Sequence, residues 1–413
     1  MKKAFPLFAC ICLLVAGGFA QKMLTTDEVL AGARQDARVR TQAGHLEYAR
    51  QVDPRLPFLN GVSLRTQTDR LELQRQRYTV RISTNGFREM RAARRYQQVG
   101  LLVAESRGRS LLHEALSERY ELLITHRLAE RELELYRQLL LVYEDKLTVL
   151  HTQAALGANA DVEDVIEAEY DRDETVLRAT AAEQVLQESR NTLVAFTPGA
   201  KTGSVLDTAG FLSANNLLLA ATSLPDQALQ HPELLEQAAR VARVDAEFQT
   251  EKAHSQKLLD FVQVRHDNRP SEPLSRDISF AIGLNLPFRG ASTYKMAELK
   301  IEKNAAEAEL LQEQAETARS VQEARSQLLA LDAQYRQAQQ QLTGNQAEHT
   351  LRQAAAGVAA DPMTLLRAKE LLLKRRQRLL NLEVEMYARY LDLLDSGGYL
   401  SAEPLVNYLA DRR

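Results

Sequence analysis

The chain has 413 residues, 45% of them hydrophobic, 26% charged, 6% aromatic and none tryptophan. That hydrophobic share excludes a disordered chain, and a formal charge of −3 lacks the concentrated basic excess of a nucleic-acid binder. Two cysteines exclude a disulfide scaffold and a cysteine zinc site.

Residues 1–20 read as an export signal. Lys2 and Lys3 form a basic start, Ala4 to Ala16 broadly an apolar stretch, and Gly18-Phe19-Ala20 a small-residue cleavage site, so cleavage after Ala20 is expected. A transmembrane anchor would need a longer stretch without glycine. Lipidation at Cys10 would need the apolar run to end there, whereas Ile11 to Val15 continue it. Nothing after residue 20 reaches the ~18 uninterrupted apolar residues of a spanning helix, so any membrane crossing must be made by strands.

Two strands are predicted next, Phe58 to Thr66 and Tyr78 to Thr84, joined by the charged loop Gln67 to Arg77. Tyr78, Val80 and Ile82 alternate with Thr79, Arg81 and Ser83. A long helix is then expected from roughly 90 to 153. No proline lies between Pro57 and Pro198, and residues 109–156 also lack glycine. Such a helix extends ~90–95 Å at 1.5 Å per residue. Its apolar residues, such as Leu112, Leu116, Leu123, Leu135, Leu139 and Leu150, recur at three- and four-residue steps that demand a partner helix.

Further on, Leu258 to Arg265 and Ile278 to Pro287 are the second strand pair. Ile278, Phe280, Ile282, Leu284 and Leu286 face one way, Ser279, Ala281, Gly283 and Asn285 the other. An apolar outside with a small or polar inside matches a transmembrane strand; a soluble antiparallel sheet alternates too. A second long helix, roughly 291 to 354, is richer in alanine (Ala305, Ala308, Ala315), which permits close approach. Taken alone, the helices describe a solvated coiled-coil rod.

An internal repeat organises these elements. At a shift of 200 residues, Gln153/Gln353, Ala154/Ala354, Ala155/Ala355, Gly157/Gly357, Ala160/Ala360, Asp161/Asp361 and Ala168/Ala368 are identical. Gly157 and Gly357 suit a helix C-cap, Asp161 and Asp361 the next N-cap, with Pro362 at its first position. The chain reads as a tandem duplication. Residues 21–215 form one repeat (helix, strand pair, long helix, return helix), 216–395 the second, and 396–413 a C-terminal tail. Four strands cannot close a membrane barrel, which needs about eight, so a membrane role demands oligomerisation.

This order resembles the TolC-like outer membrane efflux protein family over nearly the whole mature chain. Ala228-Leu229-Gln230-His231-Pro232-Glu233-Leu234 resembles the opening helix of the family's repeats. Leu286-Pro287-Phe288-Arg289-Gly290 resembles its strand-to-helix exit, and Gly157–Ala168 and Gly357–Ala368 its tips. The resemblance implies a mainly α fold with a small β part: long antiparallel helical hairpins forming an α-barrel, and four transmembrane strands per chain closing a twelve-stranded barrel in a homotrimer. It implies the Gram-negative outer membrane and periplasm as location, outer-membrane lipid around the strands, and passive conduction for an efflux or type I secretion system. The implied partners are a periplasmic adaptor (membrane fusion) protein and an inner-membrane pump.

The adaptor would dock at Gly157, Ala158, Ala160, Gly357, Val358 and Ala360, where small residues let a partner helix approach. Thr79, Arg81, Ser279 and Asn285 are the lumen residues expected from alternation. The family often carries acidic residues just after the second tip, but Met363 to Arg367 holds no carboxylate. A gate built from Arg367 with Asp164 or Glu167 is expected instead. The competing reading is an exported coiled-coil protein or adaptor without a pore; it does not require the doubled strands and tips.

No enzyme or cofactor is expected. The eight histidines are scattered without metal-ligand spacing, and no phosphate-binding loop, G-x-S-x-G or H-E-x-x-H occurs. The exported substrate is not legible in the chain.

Overall fold

The computed structural model describes residues 23–52, 57–68, 76–156, 162–201, 204–208, 210–224, 231–267, 278–285, 290–343, 346–355 and 361–411. The expected export signal lies outside them. In chain order the elements are β1 (Met23–Leu24), α1 (Thr26–Ala31), a single 3-10 turn (Gly32–Gln35), α2 (Ala37–Gln51), β2 (Leu59–Thr68), β3 (Gln76–Thr84), α3 (Phe87–Ala155) and α4 (Val162–Phe196). Then come β4 (Val205–Leu206), α5 (Ala214–Thr222), α6 (Pro232–Ser255), β5 (Leu259–Asp267), β6 (Ile278–Leu284), α7 (Ala291–Leu342), α8 (Gln346–Ala355) and α9 (Pro362–Ser396).

The predicted breakers mark the helix ends. α3 runs 69 residues without proline and closes with Leu156 N–H on Thr152 O at 3.1 Å. α9 starts as expected, with the Asp361 carboxylate accepting the Thr364 N–H at 3.1 Å and Pro362 at the first position. The expected second long helix is described in two parts, α7 and α8. The return helices α4 and α9 have 35 residues each.

Two compact units make up the chain. The first comprises residues up to Asp36, Leu112–Asp226 and Ser320–Arg413. Here α3, α4 and α9 share one apolar seam: Leu133, Tyr136, Leu139 and Tyr143 meet Ala182, Leu366 and Leu373. Further along α3, Leu147 and Leu150 meet Ala168 and Met363. The segment after α9 packs into this unit rather than trailing from it. Tyr399, Leu400 and Leu409 are buried, Tyr120 Oη donates to Val406 O at 2.9 Å, and Leu212 N–H to Leu409 O at 2.7 Å.

The second unit comprises Ala37–Leu111 and Gln227–Arg319. Its described helices bury mostly small residues, among them Ala92, Ser106, Ser110, Ala239, Val244, Ala246, Ala253, Ala306 and Thr317, with Leu234 and Leu299. Ion pairs flank this thin core. Asp245 on α6 takes Arg95 of α3 at 3.3 Å and Lys303 of α7 at 2.9 Å. Arg107 reaches Glu236 at 3.3 Å, and Arg240 reaches Glu309 at 2.8 Å.

One four-stranded sheet belongs to this unit, in the order β2-β3-β5-β6 with every neighbouring pair antiparallel. Its two hairpins repeat at the same 200-residue shift as the tips. Val62 pairs Ile82 and Leu64 pairs Val80; correspondingly Val262 pairs Ile282 and Val264 pairs Phe280. Both hairpins carry a register shift at equivalent places, Leu59/Gly61 and Leu259/Phe261. Each is closed by an asparagine N–H, Asn85 on Phe58 O at 2.8 Å and Asn285 on Leu258 O at 2.7 Å.

Candidate functional site: a two-faced sheet and a helical tip

Side chains in strands alternate between faces, and cross-strand partners share one. One face of the sheet therefore holds Thr68–Gln76, Thr66–Tyr78–His266–Ile278, Leu64–Val80–Val264–Phe280, Val62–Ile82–Val262–Ile282, and, beyond the register shifts, Leu59–Thr84 and Leu259–Leu284. Its middle rows are apolar, its ends carry Thr66, Gln76, Tyr78, His266 and Thr84, and among the described residues much of it is exposed although Thr84 is buried. Leu64 is 68% exposed, Ile282 65% and Phe280 75%. Burying such side chains is worth ~1.5–3 kcal/mol each, so a face like this is not left to water.

The other face is polar. Its rows are Arg65–Thr79–Arg265–Ser279, Ser63–Arg81–Gln263–Ala281 and Ser83–Phe261–Gly283, with Gln67, Arg77 and Asp267 beyond them. Three of the four expected lumen residues, Thr79, Arg81 and Ser279, share this face. Asn285 follows the end of β6 and is exposed. Arg77 and Arg265 both donate to Asp267, at 2.6 and 2.9 Å. Arg81 donates to Asp260 at 3.3 Å and lies 3.7 Å above the Phe261 ring. Phe261 fits there because its neighbour is glycine: a Cβ on Gly283 would come within 2.2 Å of the ring.

Alternation alone does not reveal this polar face fully. A register shift moves Leu259 to the apolar face and Phe261 to the polar one, although both are odd-numbered. Arg65 and Arg265 were absent from the expected set, and their signal was the 200-residue repeat that places them at equivalent positions.

In the other unit, the expected docking residues Gly157, Ala158, Ala160, Gly357, Val358 and Ala360 lie outside the described residues. The helices leading from them are described. Arg367 of α9 pairs with Asp164 of α4 at 3.6 Å, both partly exposed, and Glu167, the alternative partner, is exposed. Deeper along the hairpin, Lys374 bridges Glu370 at 2.8 Å and Asp171 at 3.5 Å. Burial would lower the Lys374 ammonium, but the Glu370 and Asp171 carboxylates outweigh it and hold the group above its ordinary range. Val162, Ile166, Tyr170 and Leu177 form an exposed apolar stripe on one side of α4.

His126 illustrates the histidines. It is buried, with Nδ1 3.0 Å from Ser189 Oγ. Among the described residues no group of three or more His, Cys, Asp or Glu is arranged to hold a metal, and no helix is long and apolar enough to cross a membrane.

No protein-family model and no curated protein matches the chain. Solved structures do. The open state of the Neisseria gonorrhoeae MtrE outer membrane channel aligns over 90% of this chain and 88% of its own, with a TM-score of 0.65 at 15% identity. CusC, described through folding and transmembrane channel formation, aligns over 90% and 92%, with a TM-score of 0.64 at 15% identity. The Vibrio cholerae outer membrane protein VceC aligns over 90% and 96%, with a TM-score of 0.61 at 16% identity. What the likeness shows is the fold: long helical hairpins combined with a small antiparallel sheet, mainly helical. It is the TolC-like fold of these outer membrane proteins.

Proposed function

We propose that this chain is one subunit of a trimeric outer-membrane channel that passes solutes passively across the outer membrane and periplasm. The observation carrying this reading is the exposed apolar middle of one face of a four-stranded sheet whose opposite face is polar. In the membrane reading, lipid covers the first face and water fills the space beside the second. Among the described residues β2 and β6 each present an unpaired edge, and edges are not tolerated within a bilayer. Neighbouring copies closing a barrel would satisfy them. The exposed stripe of α4 supports the same assembly, since a second copy would bury it.

Several parts of the reading rest on the sequence. The leader would direct export and be cleaved after Ala20, and the 200-residue repeat would reflect duplication of one half. The tips around Gly157 and Gly357 would receive a periplasmic adaptor linked to an inner-membrane pump, as in efflux or type I secretion. Arg367 and Asp164 would restrain the hairpins near the periplasmic end. Charge reversal at Arg367 should then change conductance, and an unchanged conductance would remove the gate. The chain itself would carry out no chemistry.

The deciding experiment is the mass of the protein extracted from purified outer membrane, corrected for bound detergent. A trimer is expected. Release without detergent as a monomer or dimer would overturn the channel and leave an exported coiled-coil protein.

A further inference from the structure

We infer that the strand-lined part of the conduit selects anionic solutes over cationic ones; the inference rests on the channel reading above. Its observation is the charge of the polar face. Arg65, Arg77, Arg81 and Arg265 lie on it, and among the described residues Asp260 and Asp267 meet this group. Asp267 is shared between Arg77 and Arg265, and Asp260 is shared between Arg81 and Lys257, the latter at 3.7 Å. Among the described residues, two cations therefore meet each of these carboxylates. The apolar face bears none of these charges.

Arginine also stands at the same place in both hairpins. Arg65 pairs with Thr79, and at the 200-residue shift Arg265 pairs with Ser279; Thr79 in turn pairs with Arg265, so the four residues form one row. Arg65 and Arg265 are thus two strand spacings apart, about 10 Å. That is close to the screening length at moderate salt, so their fields overlap. Each copy in a closed barrel would add two arginines to this belt. Rings of arginine or lysine attract anions in a pore and raise the barrier to cations, and low-dielectric walls focus that potential.

The test is the reversal potential of the purified protein in a planar lipid bilayer under a KCl gradient. Chloride permeability should exceed potassium permeability by roughly twofold or more. Arg65→Gln with Arg265→Gln should bring the ratio close to one. Because Arg265 shares Asp267 with Arg77 across the sheet, a second variant acts after folding. Both natural cysteines, Cys10 and Cys12, lie in the leader, so Thr79→Cys offers a single thiol within the arginine row. Its reaction with a negatively charged thiol reagent should lower the chloride preference, and reaction with a positively charged one should preserve it. Conductance without chloride preference overturns the inference and leaves the channel standing, as does a preference that neither variant alters. Absence of any conductance overturns both.

Discussion

Glu383 is buried on α9, yet its charge is well compensated. Arg131 of α3 donates to both carboxylate oxygens, and Tyr335 Oη of α7 adds a hydrogen bond at 3.0 Å. Burial, reinforced by the charge of Glu383, pushes the Tyr335 phenol above its ordinary range, so it remains a donor. Arg131 is partly exposed, and its solvation tempers the cost of losing its partner. Glu383→Ala should lower stability by about 2 kcal/mol and Tyr335→Phe by about 1 kcal/mol, read from denaturant midpoints. Neither contact was legible in the sequence, because the Arg131–Glu383 pair joins residues 252 apart and charge is frequent on every helix.

His126 gives a pH-dependent prediction at the same scale. Burial holds its imidazole below the ordinary value of 6.5, so the fold keeps it neutral while the unfolded chain protonates it more readily. The stability this provides is complete above the unfolded pKa. It declines as pH falls below about 6.5 and is lost below the depressed folded value. His126→Gln keeps a polar neighbour for Ser189 without the titration. Its unfolding midpoint should fall less than that of the parent between about pH 7 and about pH 5, and equal slopes would remove His126 as the cause.

At the scale of elements, the sheet separates what alternation reveals from what it hides. The apolar face was legible because Tyr78, Val80, Ile82 and Ile278, Phe280, Ile282 hold a strict two-residue period. The register shifts were not, since an extra residue leaves no mark in composition. The two faces should respond oppositely to charge. Ile282→Arg should hinder insertion, costing about 2–4 kcal/mol near the bilayer centre, whereas Ala281→Arg on the polar face should insert normally. Outer-membrane fractionation distinguishes them, and equal loss for both would contradict the two-faced assignment. Gly283→Ala should displace the Phe261 ring, given the 2.2 Å approach of a Cβ. Phe261→Ala should relieve that clash, measurable as a positive coupling in a double-mutant cycle of thermal stability.

For the whole molecule, helix lengths and doubled order were legible from breakers and caps. The terminal segment was not: short pieces such as 397–411 are held by long-range hydrogen bonds, including Asn407 to Asp27 at 2.7 Å, and no periodicity announces them. The proposed docking residues rest on the repeated tips, their small side chains and the family resemblance, and lie outside the described residues. Self-assembly has its own prediction. Ile166→Glu with Leu177→Glu adds charge to the exposed α4 stripe without touching the seam of Leu139, Tyr143 and Leu373. The detergent-corrected mass should shift toward monomer while circular dichroism retains its helical signal; an intact trimer would place the subunit contact elsewhere.

The central pairing of the sheet, β3 with β5, joins the two halves of the chain. Arg77 and Asp267 touch across a separation of 190 residues. A nascent chain emerging from its amino terminus would present β3 long before its central partner exists, and loop closure over such a span is slow. The first hairpin would spend that interval with its greasy side bare, in need of a holdase. The α3–α4 hairpin, whose two helices follow each other in the chain, can form meanwhile, whereas the α9 side of the same seam arrives later still. Topology thus schedules maturation: the first helical hairpin early, the central strand pairing and the α9 side of the seam late.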